Sequence, residues 1–196
     1  MPLAVPGTWA IKNPIHGEYQ VTSVNDCQPS FTIIDLNADL YQYSSAGHYN
    51  DMDMLQVGRG MSYDEDKTHF SMWCMLNSPL LAGNDLRNMT KQTIEILTNK
   101  EIIALNQDEG FIQAKRLFRE NNVEVWVKPL GNGKSKAIAF LNRGDQDTLF
   151  TLTPEKINIR KKSRLRDLWL HKKLGKMRKS KSFSIPKHGI VVLKQY

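Results

Sequence analysis

The sequence predicts an α/β unit followed by a small all-β unit, and three observations carry that expectation. Up to about residue 110, helical patterns alternate with short apolar runs, the rhythm of helices packed around a parallel sheet. After Gly110 the pattern turns to period two, with Gly and Asn at the turns, as in antiparallel strands. Charge divides at the same place: residues 1–110 carry 6 Lys and Arg against 14 Asp and Glu, and residues 111–196 carry 21 against 6. Two units with different surfaces, 1–110 and 111–196, account for that asymmetry.

Within the first unit, "TIIDLNADLYQY" reads as a helix leading into a strand that ends in "AGHYNDMDML" (46–55). "SYDEDKTHFSMWCMLNSPLL" (62–81) reads as a strong helix. Ser62 and Glu65 have capping-box spacing, and Asp64, Glu65 and Asp66 favour the positive end of a helix dipole. Phe70, Trp73, Met75 and Leu76 must face a core, and Pro79 limits the C-terminus. "PLLAG" follows as a short buried parallel strand. Thr90 can cap "TKQTIEILTN", and "KEIIALNQD" supplies further helical turns.

The second unit opens with "NVEVWVKPL", a "GNGKS" turn and "KAIAFLNRG", a hairpin. "TLFTLTPEK", "RLRDLWLHKKLGK" and "GIVVLKQY" continue as short strands of a β-sandwich. The basic, leucine-interleaved run from Ile159 to Lys181 alternates like a strand face. It reads as a solvated outer edge whose lysines guard against edge pairing, and nucleic acid is not the expected partner.

Composition excludes several classes. No apolar run approaches the ~20 residues needed to span a bilayer, and "MPLAVPGTWAIKNP" lacks the charged and apolar regions of a signal peptide. Cys27 and Cys74 are too few and too isolated for a disulfide framework and read as buried thiols. The five histidines have no metal-ligand spacing, so a metal site is not expected.

The stretch from Asn50 to Leu55 alternates carboxylates with methionines. At the C-terminal end of a parallel strand, such carboxylates could hold sugar hydroxyls over a polarizable methionine floor. The alternative is a turn in which Asn50 and Asp51 satisfy backbone groups while the methionines pack. Asp85 and Arg87 read as an ion pair or Asx-turn ahead of a helix, and Asn88-Met89-Thr90 fits a glycosylation sequon.

Residues 46–108, from "AGHYNDMDML" through "SPLLAGNDLR" to "NKEIIALNQD", resemble the late barrel of glycoside hydrolase family 27, the α-galactosidases or melibiases. The family pattern is approximately A-G-P-G-x-W-N-D-P-D-M-L, then A-P-L-x-x-x-x-D-L-R, then N-K-x-x-I-A-x-N-Q-D. "VEVWVKPL", "AIAFLNRG", "LRDLW" and "IPKHGIVVLK" are similar to its C-terminal β domain. The resemblance implies the C-terminal part of a (β/α)₈ TIM barrel, about strands 5 to 8, followed by an antiparallel β-sandwich. It implies cofactor-free, retaining hydrolysis of terminal α-galactosides, with two carboxyl groups roughly 5–5.5 Å apart. On the family's pattern the acid/base falls on Asp26, counting back from Ser30-Phe31, with about two residues inserted relative to a count from Tyr19. Read by itself, Asp26 has the alternative role of a turn residue before Cys27 and Pro29. Gln20 occupies the place of a substrate-contacting Arg, and Asp51, Asp53 and Met54 line the sugar pocket. The family's Pro before the second Asp is Met52 here, and A-G-P-G is "SSAG". The K-x-D motif that carries the nucleophile has no counterpart, and about 110 residues replace the ~250 of a whole barrel. A chain supplying the missing half-barrel, or a second copy, is the partner this implies.

Overall fold

The computed structural model describes residues 10–13, 17–20, 31–131, 133–160 and 162–196. Two short strands, β1 (Ala10–Asn13) and β2 (Gly17–Gln20), form an antiparallel hairpin with Ala10 opposite Gln20. Helix α1 (Phe31–Asn37) and a 3-10 turn (Leu40–Tyr43) lead into the long loop that carries Asn50 to Leu55. The strand expected to end in "AGHYNDMDML" is absent: a 3-10 turn and a loop stand in its place.

Helix α2 (Tyr63–Met75) is the centre of the helical half. Its capping box forms as the sequence predicts: the Glu65 amide donates to Ser62 Oγ at 3.3 Å, and the Ser62 amide donates to Glu65 Oε2 at 2.8 Å. From Thr68 to Met75 every residue is buried, so this helix is enclosed all round. The sequence pattern extends it to Leu81, yet it stops at Met75. Asn77 takes a left-handed backbone conformation (φ 59°), which Asn tolerates better than other non-glycine residues. Lys128 fixes the reversal, its buried ammonium donating to Asn77 Oδ1 and, at 2.5 Å, to the Ile112 carbonyl. Burial pushes that amine down to about 8.

"PLLAG" is not a buried strand. A single parallel bridge joins Leu55 to Ala82, with the Leu55 amide donating to the Leu81 carbonyl at 2.8 Å. Leu81 is 58 % exposed. A parallel strand becomes buried when neighbouring strands and helices cover both its faces, and here one bridge is all that reaches it among the described residues. Helices α3 (Lys91–Leu97) and α4 (Lys100–Asn106) follow. Thr90 caps the first through Thr93, and Asn99 Oδ1 caps the second by accepting from Glu101 and Ile102.

The β half is antiparallel throughout. Strands β3 (Lys115–Glu120), β4 (Val123–Pro129), β5 (Lys136–Asn142), β7 (Arg164–Asp167), β8 (Lys172–Lys176) and β10 (Ile190–Gln195) form one sheet. Its order is β3-β4-β5-β10-β7-β8, while β6 (Thr148–Leu152) pairs with β9 (Lys181–Ile185) in a second, two-stranded sheet. Val125, Ile138, Phe140, Phe150, Leu152, Ile185 and Leu193 fill the space between them.

The opposite face of the large sheet is also buried. Trp126, Ala137, Ala139, Leu141, Ile190 and Val192 share one core with Ile34, Phe70, Trp73 and Ile102 of the helices. Consequently β4 is buried from Val123 to Lys128, although its sequence alternates. Glu124 is tolerated there because its carboxylate accepts from Arg116 and the Trp126 indole, both at 3.1 Å. Polar ties reinforce the contact. Glu101 of α4 receives a two-pronged pair of bonds from Arg166 at 2.6 and 2.7 Å, and His188 sits between Glu65 and Asp145 at 2.9 and 3.1 Å.

Candidate functional site

The loop following Tyr49 is held by one face of α2. Asp66, His69 and Trp73 are spaced three and four residues apart, so they line up on the same side of the helix. Each grips the loop backbone at a successive point. The Trp73 indole N–H donates to the Asp53 carbonyl at 2.8 Å, the Gln56 amide donates to His69 Nε2 at 3.1 Å, and the Gly58 amide donates to the Asp66 carboxylate at 3.0 Å. Just beyond the helix, Ser78 Oγ accepts from the Met52 amide at 2.9 Å. A seven-residue run of irregular backbone is thereby fixed without a strand.

Electrostatics follow burial. His69 is fully buried, stacked 3.7 Å from the Trp73 ring, and held neutral by desolvation, down to about 3. With Nε2 accepting, its proton lies on Nδ1. Burial pushes the Asp66 carboxyl up to about 6, against the opposing pull of the Gly58 amide. The Cys74 thiol, buried on the same helix, is pushed upward by desolvation and is inert at neutral pH.

Asp51 and Asp53 both turn back on the chain. Asp51 Oδ1 accepts the Asp53 amide at 2.9 Å, and Asp53 Oδ1 accepts the Met54 amide at 2.6 Å. The first bond supports the left-handed conformation of Asp53 (φ 70°). Both residues are exposed, and Oδ2 of each has no protein partner among the described residues. Asn50 instead ties the loop down, donating to the Leu40 carbonyl at 2.8 Å and Gln113 Oε1 at 2.7 Å.

The two methionines separate by role. Met52 is buried, whereas Met54 is 42 % exposed. Gly83 lets Met54 sit where it does: a Cβ there would lie 2.5 Å from the Leu55 carbonyl oxygen and 3.0 Å from Met54 Sδ. Met54 is thus half open to solvent on the same loop as the unpaired Asp51 and Asp53 carboxylate oxygens. The arrangement can accept hydrogen bonds from hydroxyl groups beside a polarizable surface. Asp85 and Arg87 form both the ion pair and the Asx-turn that the sequence predicts, at 3.0 Å each.

Of the remaining expected residues, Asp26 lies outside the described residues, and Gln20 ends strand β2. Asp66, His69, Ser78 and Gly83 were absent from the sequence-based site, and Trp73 figured there only as a core residue. The spacing of Asp66, His69 and Trp73 was the available signal, masked because those residues lie within an otherwise apolar helix.

Comparison with known proteins places these helices and the C-terminal sandwich in one family. Residues 17–108 match the family model described as alpha galactosidase A, and residues 120–195 match the alpha galactosidase C-terminal beta sandwich domain. The chain is 41 % identical over 174 residues to alpha-galactosidase A of Cellvibrio japonicus, covering 83 % of this chain and 43 % of that protein. It is 38 % identical over 189 residues to alpha-galactosidase 2 of Arabidopsis thaliana, covering 94 % and 47 %. The crystal structure of alpha-galactosidase I from Mortierella vinacea superposes with a TM-score of 0.79 at 35 % identity, over 83 % of this chain and 43 % of that one. The chain belongs to the α-galactosidase (melibiase) family, glycoside hydrolase family 27, and corresponds to its C-terminal portion. It spans less than half the length of these relatives.

Proposed function

We propose that this chain contributes the late-barrel wall and β-sandwich of a retaining α-galactosidase, residues 1–110 and 111–196 respectively, acting on terminal α-galactosides. The observation that carries this reading is the clamped loop. In the segment matching the α-galactosidase model, the backbone from Met52 to Gly58 is sewn to α2 and to Ser78 just beyond it, leaving Oδ2 of Asp51 and Asp53 and the thioether of Met54 open. In this reading those three residues line the sugar pocket, and Gln20 stands where the family places an arginine. Asp26 is the acid/base: protonated, it gives its proton to the departing glycosidic oxygen, then as carboxylate takes a proton from the attacking water.

Retention also requires a nucleophilic carboxylate, and the sequence holds no K-x-D motif to supply it. The purified chain should therefore bind galactose and leave an aryl α-galactoside intact. Adding the N-terminal barrel portion of a relative should restore turnover, and Asp26→Ala should abolish it. Hydrolysis by the chain alone, lost on Asp26→Ala, would overturn the proposed dependence on a partner half. The open loop also suits a sugar-binding module without chemistry. Galactose binding that persists with no turnover in the complemented mixture selects that reading instead.

A further inference from the structure

Edge guarding explains lysines on the outermost strand, but the basic run extends inward. Strands β10, β7 and β8 lie side by side at one edge of the large sheet. Lys194 stands opposite Arg166, and Arg166 opposite Lys173. One rung on, Tyr196 exchanges two backbone hydrogen bonds with Arg164 at 3.0 Å each, and Arg164 stands opposite Lys176. Residues directly opposite across a ladder share a face. Five cations and a tyrosine ring therefore occupy two adjacent rungs, with strands about 4.8 Å apart. Among the described residues only Arg166 has a carboxylate partner, Glu101. Like charges placed opposite one another destabilise a sheet, and Arg164 and Lys194 lie on interior strands where guarding has no purpose. Residues 155–196 hold 14 Lys and Arg against 2 Asp and Glu.

A cleft of about 500 Å³ adjoins this face, lined by Lys134, Lys136, Arg160, Asn158, Gln195 and Tyr196 among others. Gln195 faces the sandwich interior, so the cleft lies around the end of the strands from the cationic rungs, and Tyr196 stands where the two meet.

We infer that this edge of the sandwich binds an acidic polysaccharide, carboxylates on the Arg164, Lys173 and Lys176 rungs and ring hydroxyls on the exposed Asn158 amide of the cleft. An exposed neutral amide, Asn158, among the cleft's cations suits a hydroxylated chain. Single-stranded nucleic acid draws on several stacking rings, and this face offers one. A membrane surface calls for an apolar face to insert, and these rungs are cationic.

The test is titration of the whole chain with polygalacturonate, alongside neutral galactan, poly-dT and phosphatidylserine vesicles. Binding should be confined to polygalacturonate and should weaken at least ~10-fold between 50 and 200 mM salt, in keeping with release of several counterions. The double variant Arg164→Gln/Lys176→Gln removes a repulsive pair, so it should melt no lower than the parent and bind at least about tenfold more weakly. Lys91→Gln on α3 should change nothing. Absence of binding, equal or tighter binding to poly-dT or vesicles, or unchanged affinity in the double variant would each overturn the inference. None of these readouts involves turnover, so the outcome is independent of the glycosidase reading.

Discussion

At the scale of single residues, the least expected feature is a row of polar groups inside an apolar helix. Asp66, His69 and Trp73 look like sequence noise among Phe70, Met72, Cys74 and Met75, yet each pairs a partly buried backbone group of the loop. An unpaired buried group costs about 1–3 kcal/mol, so the clamp is kept despite the cost of desolvating Asp66. That cost has a pH signature. The folded state raises the Asp66 pKa to about 6, so it binds the proton more tightly than the unfolded chain does. The stabilisation is complete below the unfolded value near 3.8 and is lost as pH rises through about 6. Asp66→Asn is neutral throughout and retains an acceptor for the Gly58 amide. It should flatten the melting-temperature profile between pH 4 and 7 and add about 1–2 kcal/mol at pH 7. A variant profile parallel to the parent's would assign the slope to other groups.

At the scale of elements, helix starts were readable and helix ends were not. Ser62 with Glu65, and Thr90, announce their helices because a cap is local chemistry between residues three apart. The end of α2 depends on Lys128, fifty-one residues away, which stabilises the reversal at Asn77. The loop is similar: Asp51 and Asp53 make local turn bonds, but its position against α2 and Gly83 is long-range. Gly83→Ala would force a Cβ to within 2.5 Å of the Leu55 carbonyl. That variant should lose about 1–3 kcal/mol by overpacking and, on the proposed reading, weaken galactose binding through displaced Met54. Trp73→Phe, which removes one donor and little volume, should cost about 1 kcal/mol. Chemical denaturation with a galactose titration on each variant separates the two effects, and full affinity in Gly83→Ala would remove Met54 from the pocket.

At the scale of the whole molecule, the two halves that composition divides are joined by a single core. Trp126, Ala139, Leu141 and Val192 meet Phe70, Trp73 and Ile102 across the sheet, so β4 and β5 are covered on both faces. A sandwich cut free at residue 111 would expose that second face. Expressed alone, residues 111–196 should bind a hydrophobic dye and unfold with low cooperativity. A sharp, dye-free transition equal to that of the whole chain would show the halves to be independent. The helical half keeps Leu81 and Leu86 about 60 % exposed.

The sequence by itself determined the family, the order of α/β then antiparallel β, the helix caps and the turn chemistry of Asp51 and Asp85. All of these rest on residues within a few positions of one another. Tertiary structure alone decided that "PLLAG" forms one bridge, that β4 is buried on both faces, and that α2 clamps the loop. It also decided that like charges from three strands meet on one rung. Each of those depends on which distant segment covers which face, and burial, not local preference, sets the energy of that choice.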